Sequence, residues 1–275
     1  MSATVVVTPP ELPPLRLPRA LAHLTARLLT PADAGAVLAM RRAVLATMPA
    51  ALRAVDPARG FMPEVEQAWA AKHLGPRAST LALFDGPTLI AFACLLLADA
   101  HDPEDPGHLL KLPAPDWPRV AHMAACLVSE DYRGLHLQAK LLNWRRRLAQ
   151  SHHRTLLMGM TACGNTYSRR NMMGCGLGIQ WVGEWRPGSW WHILVLDLLP
   201  GAWSPDVHSH EWVAASDLSR QKKLIANNYV GIAEMAAFSM NSKQESLLQF
   251  VKRSPQPSPG HWHSLAADAA AGEAP

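Results

Sequence analysis

The residues with the clearest chemical potential lie in one segment, 126–138, in which a predicted strand ends near Val128 and a predicted helix begins a few residues later. The first backbone N–H groups of a helix have no partners inside it, and the helix dipole adds about half a positive charge at that end. A helix start of this kind binds phosphate. Arg133 adds a cation, and Gly134 lets the backbone approach a ligand closely. The spacing is typical of either a pyrophosphate-binding loop or an ordinary connection between strand and helix.

His122 is the first candidate for acid–base chemistry, because an imidazole with a pKa near 6.5 can take up a proton near neutral pH. In a regularly alternating strand, His122 shares one face with Ala124, Cys126 and Val128. It can equally be a hydrogen-bonded histidine of the core. Glu130 is the second candidate base, although a loop carboxylate beside a phosphate site can also be simply solvated.

Alternating strands and helices are predicted around this segment from the spacing of apolar residues. Thr30-Pro31-Ala32-Asp33 has the residue types of a capping box, which predicts that a helix begins there. The predicted strands cover 23–29, 79–84, 88–97, 120–128, 155–160, 181–185 and 190–198, and the predicted helices cover 30–48, 63–73, 135–151, 165–174 and 217–229. This interleaved order predicts an α/β fold with a mixed sheet.

The 126–138 segment resembles the acyl-CoA-binding motif of the GNAT (GCN5-related) N-acetyltransferase superfamily. In that motif a strand ends in valine, a few polar residues follow, and Arg/Gln-x-x-Gly-x-Gly/Ala opens a helix. Val128, Arg133 and Gly134 fit this pattern, whereas His136 and Gln138 occupy the two places where the family prefers small residues. The apolar places of the motif are filled by Leu135, Leu137, Leu141 and Leu142.

A second motif lies at the expected distance downstream. Asn165-Thr-Tyr-Ser168, followed by Gly176-Leu177, resembles the family's Asn-x-x-Ser/Ala … Gly-Phe with its internal spacing kept. The predicted strand before it and the predicted strand pair after it follow the family's order. The resemblance therefore covers about residues 21–200.

The resemblance implies a mixed, mostly antiparallel central sheet that is split to hold acyl-CoA and flanked by helices. It implies an acyl-CoA-dependent N-acyltransferase, with acetyl-CoA as co-substrate and an amine acceptor that attacks the thioester directly. The backbone of Cys126, Leu127 and Val128 would then pair with the pantetheine arm. The amides of the 133–138 loop, which comprises Arg133, Gly134, Leu135, His136, Leu137 and Gln138, would hold the pyrophosphate. Asn165 and Ser168 would line the far side of the cofactor.

The catalytic acid is the weakest part of the match. Many family members place a tyrosine seven residues after the asparagine, and Met172 stands there in this chain. Tyr167 and Ser168 are nearby substitutes, but neither has the family's spacing. This departure keeps a second interpretation open, in which the chain is a degenerate GNAT-fold protein that binds acyl-CoA as a ligand or regulator.

The composition excludes other classes of partner. A net charge of +4, from 26 basic and 22 acidic residues among 275, is too weak to indicate nucleic acid or a membrane surface. The apolar runs hold about ten residues, whereas a membrane-spanning helix needs about 20. Four cysteines without a CxxC pair predict reduced thiols in a cytoplasmic protein. No metal is predicted, because the paired histidines lack clustered acidic or cysteine partners: His208, His210, His261 and His263.

The predicted organisation is one GNAT-like domain over 21–200 and a helical extension over 201–252, with disordered tails at 1–20 and 253–275. The extension is expected to cover the acceptor site or to mediate homodimerisation. The three arginines at 145–147 predict a solvated helix face, from which one could reach the ribose phosphate of CoA.

Overall fold

A computed structural model of the chain describes residues 13–47, 66–199, 204–238 and 244–254. The strands are β1 (Thr25–Leu28), β2 (Ala78–Asp85), β3 (Thr88–Leu97), β4 (Val120–Val128), β5 (Leu156–Ala162), β6 (Gly178–Arg186), β7 (Ser189–Asp197), β8 (Ser204–Ala214), β9 (Tyr229–Phe238) and β10 (Gln244–Ser254). The α-helices are α1 (Ala34–Thr47), α2 (Glu66–His73), α3 (Leu137–Ser151), α4 (Thr166–Gly174) and α5 (Leu218–Ala226).

The predicted starts of α1 and α4 are confirmed, because the capping side chains of Asp33 and Asn165 accept hydrogen bonds from backbone amides of the first turn or of the N-cap residue. Asp33 accepts a hydrogen bond from the Thr30 amide at 2.8 Å, which closes the capping box before α1. Asn165 accepts from the Ser168 amide at 3.1 Å and caps α4. The predicted helix ends at 48 and 63 lie outside the described residues.

The ten strands form one sheet in the order β1-β2-β3-β4-β5-β7-β6-β9-β10-β8. One neighbouring pair, β4 and β5, runs parallel, and the other neighbouring strands run antiparallel. Helix α3 packs on one face against the largest core cluster, and α1 and α2 pack on the other face. This arrangement confirms the predicted mixed, mostly antiparallel sheet flanked by helices. None of the described helices has the length and apolar character needed to cross a lipid bilayer.

The extension over 201–252, which was expected to be helical, contains one helix and three strands in its described part. In β10 the buried Leu248 and Phe250 alternate with the half-buried Gln249, and this period of two is that of a strand. The unit β8–β10–β9 joins the main sheet where Ile179 of β6 pairs with Gly231 of β9. Strand β10 continues to Ser254, so the first two residues of the expected tail belong to the sheet.

The N-terminal segment also differs from the expected tail over residues 13–20. Leu15 and Leu17 pack against the main core. The Trp144 indole N–H donates to the Pro13 carbonyl at 2.9 Å, and Arg147 donates to the Pro14 carbonyl at 2.8 Å. The segment is held because extended, proline-rich backbone leaves its carbonyls free to accept bonds from side chains of α3. The rest of both predicted tails lies outside the described residues.

Two buried histidines give the fold a predictable response to acid. Burial lowers the pKa of His73 to about 4 and that of His192 to about 3. The unfolded chain protonates both rings near pH 6.5 while the folded chain does not, so the unfolded state binds more protons below that pH. We therefore expect the free energy of unfolding to fall, as pH drops from about 6.5 to 4, by about 1.4 kcal/mol per pH unit for each histidine.

Urea titrations between pH 7 and pH 4.5 test this expectation. His192→Gln should make the free energy of unfolding less dependent on pH, by the contribution of one histidine. The matched control is His101→Gln at an exposed position, which should leave the slope unchanged. Equal slopes for wild type and His192→Gln would contradict the assignment of His192 as a neutral buried ring.

Candidate functional site

The central feature of the site is a split between β4 and β5. The two strands pair only over Val120–Leu156, Ala121–Leu157 and His122–Met158, although β4 continues for six residues past His122. We call the end of this pairing, at His122 and Met158, the fork. Beyond the fork β4 still pairs with β3, while its other edge has no strand partner among the described residues. Backbone groups on that open edge can bind an extended ligand.

His122 lies at the fork and forms a buried pair with Asp105, with side chains only 7% and 4% exposed. Its Nε2 is 2.9 Å and 3.0 Å from the two carboxylate oxygens. Asp105 also accepts from the amides of Gly107 at 2.9 Å and Asp99 at 3.1 Å. Burial works against ionisation of Asp105, but the bonds from His122 and these amides prevail and lower the pKa of Asp105.

This pairing decides which imidazole nitrogen is available for chemistry. A carboxylate accepts the Nε2–H, so the other nitrogen, Nδ1, carries the lone pair. No described residue hydrogen bonds to Nδ1 of His122. The ring can therefore accept a proton at Nδ1 while Asp105 stabilises the cation that forms. Sequence reasoning missed Asp105, which stands 17 residues earlier in an irregular loop and which no local pattern distinguishes.

The prediction that His122 shares one face of β4 with Cys126 and Val128 is wrong, because β4 contains a β-bulge. The register shifts where Ala124 and Ala125 stand opposite Cys94 alone. Cys126 packs on the α3 face, whereas Ala125 packs on the α1 face. His122 precedes the bulge and lies on the face opposite to Cys126, because the extra residue reverses the alternation. The predicted set of Ala124, Cys126 and Val128 therefore does not surround the imidazole.

The predicted phosphate-binding loop leads into the start of α3. The first helical hydrogen bond runs from the Lys140 amide to the His136 carbonyl at 3.2 Å, so the preceding amides have no partner in the helix. His136 has a left-handed backbone with φ of 57°, and Gly134 has φ of 80°. No atom lies within 4 Å of the place that a Gly134 Cβ would occupy, so the space before this backbone is open. His136 stands where the family motif prefers a small residue such as glycine. It adopts the left-handed backbone conformation that glycine favours.

Gln138 is turned away from these amides. Its carbonyl oxygen accepts from Asn171 at 2.6 Å, and its amide nitrogen donates to the Ser168 hydroxyl at 3.4 Å. The long side chain therefore links α3 to α4. Asn165 and Ser168 stay at the start of α4, where the Asn165 side chain caps the helix.

The other candidate catalytic residues lie away from the fork. Glu130 is 61% exposed and lies about 3.9 Å from Arg133; it follows the end of β4, so it is about 20 Å or more along the strand from His122. Tyr167 is 76% exposed on α4. Met172 is buried, with its sulfur beside Gly159 of β5. A thioether cannot donate a proton, so the position expected for the acid holds no acid.

Three further predictions concern metal binding, the cysteines and the arginines at 145–147. Within the described ranges, no group of three or more His, Cys, Asp or Glu side chains comes together in a way that could hold a metal ion. His261 and His263 lie outside those ranges. The four cysteines are free thiols. Of the three arginines at 145–147, Arg146 is exposed but Arg145 is 1% exposed, so the predicted solvated face is wrong for Arg145.

The chain is similar in fold to several solved structures at low sequence identity. No protein-family profile and no curated protein sequence matches the chain. Among solved structures, the chain is similar to yncA of Salmonella typhimurium, determined with its cofactor acetyl-CoA, at 14% identity and a TM-score of 0.47 over 67% of this chain and 99% of that one. It is similar to an N-acetyltransferase of Staphylococcus aureus Mu50 at 13% identity and 0.47, over 64% and 99%. It is similar to the GNAT domain of S. lividans PAT at 18% identity and 0.45, over 63% and 89%.

These similarities concern the fold alone. The mixed sheet, its split between β4 and β5 and the helices on both faces are the architecture that the resemblance at the two sequence motifs implied.

Proposed function

We propose that the chain is an acyl-CoA-dependent N-acyltransferase that moves an acetyl group from acetyl-CoA to an amine. The observation that carries the proposal is the open edge of β4, which leads from a buried His–Asp pair at the fork to the free amides at the start of α3. Such an edge suits an extended thioester ligand whose other end is a phosphate group. Sequence resemblance at two motifs supports the same assignment.

In the proposed reaction, acetyl-CoA lies along the open edge with its pyrophosphate at the 133–138 loop. Backbone groups of Cys126, Leu127 and Val128 pair with the pantetheine arm, and Asn165 and Ser168 border its far side. The acceptor nitrogen attacks the thioester carbon, a C–N bond forms, and the carbonyl π electrons move to oxygen. On collapse the C–S bond breaks, and its electron pair leaves on the CoA sulfur.

His122 is the proposed base in this scheme. The nitrogen that attacks must lose a proton, and Nδ1 of His122 takes it directly or through one water. Asp105 holds the ring and stabilises the imidazolium, as a buried carboxylate does behind a catalytic histidine. The CoA thiolate then leaves as the anion or is protonated by solvent, because Met172 cannot serve as an acid.

The second candidate function is an acyl-CoA-binding protein with little chemistry. The buried Met172 at the expected acid position favours it. Both functions require acyl-CoA binding. Release of free CoA in the presence of a panel of amines separates them, since a binding protein releases none.

Calorimetry with acetyl-CoA tests both functions, and Arg133→Ala tests the loop. The Arg133 side chain is 40% exposed and lies beside the free amides, so its removal should leave the fold intact. We expect acetyl-CoA binding to weaken by roughly tenfold, which corresponds to the loss of one charge-assisted hydrogen bond. The control is Arg220→Ala, a similarly exposed arginine of α5, which should leave the affinity unchanged. No binding by the wild type at high micromolar acetyl-CoA would remove both functions.

A further inference from the structure

A cluster of cations lies on the outer face of α3, in an open cavity of about 430 Å³ between this helix and the N-terminal segment of residues 13–20. Four residues that line the cavity are basic: Arg16, Lys140, Arg146 and Arg147. The other lining residues among those described are uncharged: Leu15, Asn143 and Gln150. Charge of one sign in a cavity focuses the electric field there and raises the local concentration of counter-ions. The cavity therefore favours an anion.

The fold assembles this cluster from two parts of the chain that are far apart in sequence. The Trp144 indole N–H and the Arg147 guanidinium donate to the carbonyls of Pro13 and Pro14, at 2.9 Å and 2.8 Å. These contacts hold Arg16 over a helix that contains no acidic residue and already carries three cations on this face. Like charges repel at short range, so the arrangement costs free energy unless an anion joins it.

No described carboxylate compensates the cluster. None of its four cations forms an ion pair with a described Asp or Glu side chain. The Nε of Arg147 is also buried without a hydrogen-bond partner among the described residues. Buried N–H groups are nearly always paired in folded proteins, so an unpaired donor beside a cationic cavity points to an anionic acceptor. The planar fork of arginine matches the oxygens of phosphate in geometry and charge.

Helix geometry separates the cavity from the 133–138 loop. The cavity is lined from Lys140 to Gln150, and at 1.5 Å per residue the middle of this stretch lies about 12 Å from the start of α3 at Leu137. The unpaired amides of the loop point out of the end of the helix, whereas the lining side chains project from its flank. A ligand in the cavity therefore occupies a different place from a phosphate at the loop.

We propose that the cavity binds a small ligand with two or more phosphate groups, and that this ligand fastens the N-terminal segment to α3. Two phosphate groups carry about three to four negative charges near pH 7, which balance the four cations. The volume is that of a small-molecule site. No aromatic side chain is among the described lining residues, so the phosphates, and not a stacked ring, provide the recognition. The inference goes beyond the proposed function and does not depend on it.

Calorimetric titration of the full-length protein with inorganic pyrophosphate tests the site, at low ionic strength and with saturating acetyl-CoA present so that the loop is occupied. We expect one pyrophosphate to bind. Arg16→Met and Arg146→Met remove exposed cations and should each weaken this binding by roughly tenfold, which corresponds to the loss of one charge-assisted hydrogen bond. Inorganic phosphate should bind at least about tenfold more weakly than pyrophosphate, because it makes fewer such bonds.

Amide hydrogen exchange shows whether the ligand fastens the N-terminal segment. The amides of Leu15, Arg16 and Leu17 should exchange more slowly when pyrophosphate is bound to the wild type, and this protection should be lost in Arg16→Met. The matched control is Arg19→Met, which removes an exposed arginine of the same segment that does not line the cavity. It should keep both the affinity and the protection.

Wild-type affinity for pyrophosphate in both Arg16→Met and Arg146→Met would overturn the proposal. Displacement of pyrophosphate by acetyl-CoA would also overturn it, since the pyrophosphate would then occupy the loop. An equal loss of affinity in Arg19→Met would assign the binding to net charge and reject a built site. If the wild type does not bind acetyl-CoA, the proposed function fails, but the same titration in the Arg133→Ala background, which weakens the loop, still tests the cavity.

Discussion

His122→Ala is expected to lower the rate of acetyl transfer by at least about 10²-fold, because the variant loses the group that accepts the proton of the attacking amine. The imidazole lies at the fork, and Asp105 holds its Nε2–H so that Nδ1 is left as the acceptor. Acetyl-CoA affinity should change little, since the proposed phosphate-binding loop lies at the other end of β4. The measurement is CoA release with the amine that reacts fastest in a panel, together with calorimetry.

Asp105→Asn distinguishes a catalytic role of His122 as the base from a purely structural role in the core. An amide at position 105 can accept one hydrogen bond but provides no negative charge, so we expect a loss of roughly 10-fold or more with the fold kept. An unchanged rate in His122→Ala would assign the pair to the core and leave the base to be sought elsewhere.

Glu234→Ala is expected to lower the free energy of unfolding by about 3–5 kcal/mol, because it leaves the buried Arg169 without its counter-ion. The two side chains are 0% and 1% exposed. The carboxylate accepts from Nε and from a terminal nitrogen of Arg169, both at 2.8 Å. This pair joins β9 of the C-terminal extension to α4, whose start carries Asn165 and Ser168. Loss of the pair should therefore also weaken acetyl-CoA binding.

The matched control is Glu211→Ala, which breaks the Arg220–Glu211 pair within the same extension. Those side chains are 46% and 34% exposed, so the expected cost is under about 1 kcal/mol. The double change Arg169→Met with Glu234→Met should recover much of the lost stability, since neither charge is then buried alone. Urea unfolding followed by circular dichroism measures all four proteins. A cost for Glu234→Ala no larger than for Glu211→Ala would contradict a structural role for the buried pair.

The sequence by itself determined the features that depend on neighbouring residues. Capping side chains marked the starts of α1 and α4, because a side chain reaches only the backbone of the next few residues. Apolar runs bounded by turn residues predicted β2, β3, β4 and β7 to within about two residues, and the resemblance at two motifs implied the split sheet. The position of the 133–138 loop between β4 and α3 was also predictable, since a strand, a glycine and a helix start lie consecutively in the chain.

Only the tertiary structure decided how distant residues meet. The bulge in β4 reversed the face of His122, because one extra residue changes the parity of every later position. The pairing of His122 with Asp105, the burial of Arg145 between two strand carbonyls, and the Arg169–Glu234 pair join residues far apart in sequence. The extension formed strands, since β8, β9 and β10 pair with one another and with the main sheet. Such contacts depend on the packing of the whole chain, which no local pattern records.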